Sequence, residues 1–164
     1  MRSVQAIQDM ISRGIILDAA MGGATAVIYY TEPFSTEDID FFVLIPEGGS
    51  LFLPLDGIYR YAEQHGFKLS EEHILIGEDK VQFLPVFNKL TEDAVADASQ
   101  YDIDGSQVKI LSPEYLIAIM LHTGRHKDFL KLRLLLDQTK VNKQKLKSVL
   151  RKHKLEEAWK KFNA

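Results

Sequence analysis

Apolar residues first recur at helical spacing. Val4, Ile7, Met10 and Ile11 fall on one side of residues 3–13, which predicts an amphipathic helix ending near Gly14. Ile15 to Ala20 is a short apolar run with the pattern of a strand. Beyond Gly22, Ala24 to Tyr30 predicts a short buried helix that Pro33 stops. Ile39 to Ile45 is continuously apolar, aromatic and β-branched, as a central strand should be. Pro46 to Ser50 is a loop. Pro54 to His65 predicts a helix with Leu55, Ile58, Tyr59 and Ala62 on its apolar face and Gly66 after it. Phe67–Leu69, His73–Ile76 and Lys80–Val86 are strand-like, with a turn at Gly77-Glu78-Asp79 and an interruption at Pro85. A short helix fits Glu92–Ala98, and a hairpin fits Tyr101–Asp104 with Gln107–Leu111 about Gly105-Ser106.

From Ser112 onward the period is helical throughout. Ser112 suits an N-cap and Pro113 a first helical residue. Three apolar sets follow: Leu116, Ile119 and Met120; then Phe129, Leu132, Leu135 and Leu136; then Leu146, Val149, Leu150 and Trp159. The chain therefore divides into a mixed α/β core over residues 1–111 and a helical segment over 112–164 packed on that core. No internal repeat or low-complexity segment interrupts it.

At 164 residues, with 46% hydrophobic and 26% charged residues, the composition is that of one globular unit with a proper core. The absence of cysteine rules out disulfides, thiolate metal sites and thiol nucleophiles and fits a cytoplasmic protein. The N-terminus lacks the apolar core of a signal peptide, and no run reaches the roughly 18 apolar residues of a membrane span. The net charge of −3 hides an asymmetry: residues 1–119 hold 7 basic and 19 acidic residues, whereas residues 120–164 hold 13 and 4. The basic helices are either a well-solvated surface or a surface for phosphates or RNA.

The chemistry gathers near the start of the chain. Gly22-Gly23 opens a helix, where free backbone N–H groups meet anions. Fifteen residues after Gly23 comes Asp38-Ile39-Asp40, whose carboxylates project to one face at the mouth of a buried strand. A carboxylate there is costly unless it is paired or metal-bound, and Mg²⁺ favours a few protein oxygens plus substrate phosphates. Ser35 and Thr36 either touch a phosphate or cap the Asp38 turn. His122 and His126, four apart, fit core or surface roles better than a metal site. His65, His73 and His153 look isolated and solvated, and Tyr29, Tyr30, Phe41, Phe42 and Trp159 suit the core.

Three segments carry a resemblance: Gly22-Gly23 with its helix, Ser35 to Val43, and Leu111 to Ala118 followed by Gly124-Arg125-His126-Lys127-Asp128. Together they resemble the nucleotidyltransferase superfamily that shares a core with DNA polymerase β. The closest likeness is to bacterial nucleotidyltransferase-like proteins of abortive-infection toxin–antitoxin systems. The resemblance implies a mixed β-sheet flanked by helices and the transfer of a nucleoside monophosphate from an NTP to a hydroxyl of RNA, protein or a small molecule. It assigns Gly22 and Gly23 to the triphosphate, Asp38 and Asp40 to Mg²⁺ or Mn²⁺ and catalysis, and Arg125 and Lys127 to phosphates, with Asp128 orienting one of them. It also implies a toxin–antitoxin or phage-defence setting with a cognate protein partner; the charge of the C-terminal helices suits RNA or the triphosphate itself, and the absence of a long apolar run gives no membrane partner.

Two positions depart from the family pattern. The third carboxylate belongs on the strand around Lys80–Leu84, where this chain has Gln82, and a further Asp of the helical motif is replaced by Lys131. Glutamine is a poor Mg²⁺ ligand and no general base. Glu78, Asp79, Asp102 and Asp104 are the nearby substitutes. The alternative is a protein that has kept the fold and binds nucleotide or a protein partner without turnover.

Overall fold

The computed structural model describes residues 1–48 and 53–164, so the expected loop at 46–50 lies partly outside the described residues. Among these are eight helices: α1 (Arg2–Ser12), α2 (Gly23–Tyr30), α3 (Asp56–Gln64), α4 (Lys89–Asp97), α5 (Pro113–Thr123), α6 (His126–Gln138), α7 (Lys143–Lys152) and α8 (Glu156–Asn163). The strands are β1 (Asp18–Met21), β2 (Ile39–Leu44), β3 (Lys68–Ser70), β4 (His73–Ile76), β5 (Asp79–Pro85), β6 (Ser99–Ile103) and β7 (Ser106–Ile110). They form one mixed sheet in the order β3-β4-β5-β2-β1-β7-β6. β2 runs antiparallel to β1 and parallel to β5, and β1 meets β7 in parallel through Met21 and Ile110.

Alternation along β2 sorts its residues by face. Phe41 and Val43 are buried, and in the neighbouring strands Val81, Phe83, Ile74 and Ile76 are buried with them. Asp40 and Phe42 occupy the opposite face of the strand. α1 packs on β4, β5 and β7, whereas α2 and α4 pack on β2. α5 carries Leu116, Ile117 and Ala118 into the core and contacts α2, α4, α6, α7 and α8.

Several local expectations need correction. The first strand begins at Asp18 rather than Ile15. α4 begins at Lys89 because the Asn88 side chain accepts the Thr91 N–H at 2.9 Å, a cap that the apolar pattern alone does not reveal. α3 is rotated from the expected face: Tyr61 is buried with Ile58 and Ala62, and Tyr59 is exposed. Ser112 does precede α5, but its hydroxyl makes no cap bond and is buried without a hydrogen-bond partner among the described residues. Gly124 ends α5 at φ 64°, a left-handed cap that suits glycine, and thereby puts His122 and His126 on different helices. No helix among the described residues is long and apolar enough to cross a membrane.

The basic helices are partly engaged within the chain. Lys145 of α7 lies 2.7 Å from Asp97, and Lys152 lies 2.7 Å from Asp93, both acids on α4. His153, expected in solvent, is instead enclosed, with its Nε2 3.1 Å from Asp93. Buried Glu114 of α5 accepts the Asn142 N–H at 2.7 Å, immediately before α7.

Candidate active site

The Gly22-Gly23 turn joins β1 to α2 beside the entrance of β2. The Gly22 N–H donates to the Asp40 carbonyl at 2.9 Å, which ties the turn to the strand. Gly23 sits at φ 57°, where a side chain is strained, and a Cβ there would overlap the Asp40 carboxylate. At Gly22 a Cβ would run into the ring of Phe42. The glycine pair is thus required by geometry: it lets the Asp40 carboxylate lie directly on the backbone at the start of α2. The first intrahelical bond runs from the Ala26 N–H to the Gly22 carbonyl, so the N–H groups of Gly23, Ala24 and Thr25 lie outside the helix's own ladder.

Asp38 precedes β2 by one residue. Its carbonyl accepts hydrogen bonds from the Thr25 hydroxyl at 3.1 Å and the Thr36 hydroxyl at 3.3 Å. Thr36 therefore caps this turn, and Thr25, which sequence patterning passed over, does so from α2. Ser35 is exposed. Burial, and after it the charge of Asp38, raises the Asp40 pKa; Lys131, Arg125 and His73 act in the opposite sense.

α6 brings its polar face to the same place. Asp128 is 1% exposed and accepts hydrogen bonds from Arg125 Nε at 2.7 Å and Lys131 Nζ at 2.9 Å. Burial alone would favour the neutral acid, but these two bonds outweigh it and hold the Asp128 pKa below its ordinary value. Asp128 therefore orients Arg125 and Lys131. Lys127 is exposed and makes no ion pair among the described residues. Lys131, a departure from the family pattern, is thus one of the cations acting on Asp40.

Gln82 of β5 is in direct register with Asp40, so the two side chains share a face. None of the substitute acids joins them. Asp79 accepts the Ser3 N–H and hydroxyl at 3.1 and 2.6 Å, and Asp102, on the far edge strand β6, accepts from Gly105 and Gln107. Among the described residues no cluster of three or more His, Asp or Glu side chains is arranged for a metal ion.

One further group does converge. His73, expected in solvent, is 6% exposed, and its Nε2 donates to Asp38 Oδ2 at 2.9 Å. Its sequence signal was faint: a lone histidine opening an apolar strand, 35 residues from its partner. The aromatic residues divide otherwise than expected. Phe41 is core, Tyr30, Phe42 and Trp159 are partly buried against it, and Tyr29 is exposed with its ring 4.7 Å from that of Tyr101. His65 is exposed but stacks on Tyr61 at 4.0 Å.

No model of a known protein family matches this sequence, and no curated protein does either. Solved structures do. A nucleotidyltransferase-like antigenic protein from Paracoccidioides brasiliensis superposes with a TM-score of 0.59 at 16% identity, over 97% of this chain and 90% of its own. ANT(2'')-Ia in complex with adenylyl-2''-tobramycin matches with a TM-score of 0.56 at 15% identity, over 96% and 97% of the two chains. The solution structure of the same antibiotic-resistance factor gives 0.54 at 16%, over 99% and 98%. At these identities the likeness establishes the fold. The chain has the nucleotidyltransferase-like architecture, as its glycine turn and Asp-x-Asp strand implied.

Proposed function

We propose that this protein is a nucleotidyltransferase that binds an NTP with a divalent cation, Mg²⁺ or Mn²⁺, and transfers the nucleoside monophosphate to a hydroxyl. The observation that carries the reading is the Asp40 carboxylate lying on Gly23 at the start of α2, where any Cβ would displace it. Asp38 and Asp40 offer hard carboxylate oxygens, a donor set that suits Mg²⁺ and leaves its remaining positions to water and phosphate. When bound, the cation neutralises charge on the phosphate oxygens. The N–H groups of Gly23, Ala24 and Thr25 bind phosphate oxygens from one side. Arg125 and Lys131, held by Asp128, supply positive charge from α6. The acceptor oxygen bonds to the α-phosphorus, pyrophosphate leaves, and the proton passes to solvent. Gln82 beside Asp40 can accept a hydrogen bond from that hydroxyl but cannot take its proton.

The acceptor is a hydroxyl of RNA, protein or a small molecule. The fold shared with ANT(2'')-Ia, solved with adenylyl-2''-tobramycin, puts aminoglycosides among the small molecules to try. The family resemblance favours a toxin–antitoxin or phage-defence setting with a cognate protein partner. A second reading, nucleotide binding without turnover, is favoured by one observation: the residue in register with Asp40 is an amide.

The test is incubation with each α-labelled NTP, Mg²⁺ or Mn²⁺, and total RNA, cell lysate or an aminoglycoside. Wild type, Asp40→Ala and Gln82→Asp are compared. Label transfer by wild type and not by Asp40→Ala is expected. A base restored at position 82 should raise the rate about 10²–10⁴-fold. Nucleotide binding that Asp40→Ala abolishes, with no transfer by wild type, selects the second reading. Equal labelling by wild type and Asp40→Ala overturns the role of Asp40.

A further inference from the structure

We infer that His73 is a positioning residue that orients Asp38 toward the divalent cation, a role resting on the reading of Asp38 and Asp40 as the cation's ligands. The two carboxylates are placed by different means. Asp40 is fixed by its strand and by the missing side chain of Gly23. Asp38 stands just before β2, where no ladder holds it, and its own side chain must be fixed from elsewhere.

β4 supplies the constraint. Ile74 pairs with Val81, so the register carried one residue further sets His73 opposite Gln82, which itself pairs with Asp40. His73, Gln82 and Asp40 thus form a row across three strands on one face. From the end of that row the His73 ring reaches Asp38, and Nε2–H donates to Oδ2 at 2.9 Å. The ring is buried, and its Nδ1 has no hydrogen-bond partner among the described residues. Its hydrogen bonding is therefore directed at Asp38 alone. A histidine serving only the fold would be expected to satisfy both nitrogens or to give way to an apolar residue.

The consequence for Asp38 is specific. With Oδ2 engaged by His73, Oδ1 is left to face the cation, and the carboxylate plane is fixed before binding. Partners that hold metal-binding carboxylates typically contribute 10–100-fold to metal affinity.

The experiment measures Mn²⁺ affinity by electron paramagnetic resonance of the free ion, in the presence of α,β-methylene ATP. The full chain is used as wild type, Asp38→Ala, His73→Ala, His73→Asn and His73→Gln, with circular dichroism and thermal melts reporting the fold. Affinity should fall about 10–100-fold in His73→Ala and His73→Asn. His73→Gln should recover most of it, because its amide nitrogen reaches where Nε2 stood, whereas that of Asn reaches only the place of Nδ1. Wild-type affinity in folded His73→Ala, or equal loss in folded Gln and Ala variants, overturns the role of His73. If His73→Ala does not fold, the contrast between Gln and Asn decides. Wild type without Asp38-dependent Mn²⁺ binding would overturn the proposed function itself, a result distinct from wild-type binding that is indifferent to His73.

Discussion

At the scale of single residues, Asp40 holds two opposed properties. Burial and the adjacent Asp38 favour its protonated form, yet a cation site needs it ionised. A folded pKa above the unfolded value means that ionisation opposes folding, and the penalty grows as pH rises from the unfolded value through the folded one. Asp40→Asn should therefore raise the melting temperature at pH 7, by about 0.5–2 kcal/mol of stability, while abolishing Mn²⁺ binding. The gain should vanish near pH 4, and thermal melts across that range check it. Such a residue was visible in the sequence because its evidence is local: a glycine pair, a two-residue spacing and an apolar strand. His73 was not, because its partner lies on another strand and nothing in its own neighbourhood announces a carboxylate. Lys131 was visible only as a departure, and its place beside Asp128 gives it a role that the departure concealed.

At the scale of elements, the contact of α4 with α7 shows what the charge asymmetry does. Asp93 of α4 faces Lys89, Lys152 and His153 at 3.2, 2.7 and 3.1 Å. Burial pushes against its charged form, but the hydrogen bonds from Lys152 and Lys89 prevail and its pKa is lowered. A lowered carboxyl pKa stabilises the fold above the unfolded value of about 3.9, and that contribution is lost as pH falls through the folded value. Asp93→Asn should thus cost about 1–3 kcal/mol at pH 7 and less at pH 3, measured by urea denaturation at both. Sequence showed that the C-terminal helices were basic, but acidic partners some 50 residues earlier in the chain could not be read from periodicity. The same limit explains α3. A period of 3.6 fits both Tyr59 and Tyr61, and the choice of Tyr61 is made by tertiary packing and by the Tyr61 hydroxyl donating to Asp9 at 2.8 Å.

At the scale of the whole molecule, the order of helices and strands gave the architecture, because a buried β2 between amphipathic helices has few ways to close. The strand order was beyond that reading, since pairing between distant segments leaves no periodic trace. The β6–β7 hairpin joins the rest of the sheet where Met21 faces Ile110, and the Leu111 N–H donates to the Met21 carbonyl at 3.0 Å. Met21 runs directly into the glycine turn, and Leu111 runs directly into α5, which leads to Arg125 and Lys131. The glycine turn and the helix that leads to Arg125 and Lys131 therefore start from the same rung. By amide hydrogen exchange, β6 and β7 should open together ahead of β2 and β5, and the Leu111 amide should slow when Mn²⁺ and α,β-methylene ATP bind at the proposed site. Unchanged Leu111 exchange at saturating ligand would count against it. That rung is thus a common root for the glycine turn and for the helix that leads to Arg125 and Lys131, so loosening it would displace both sides of the proposed site at once.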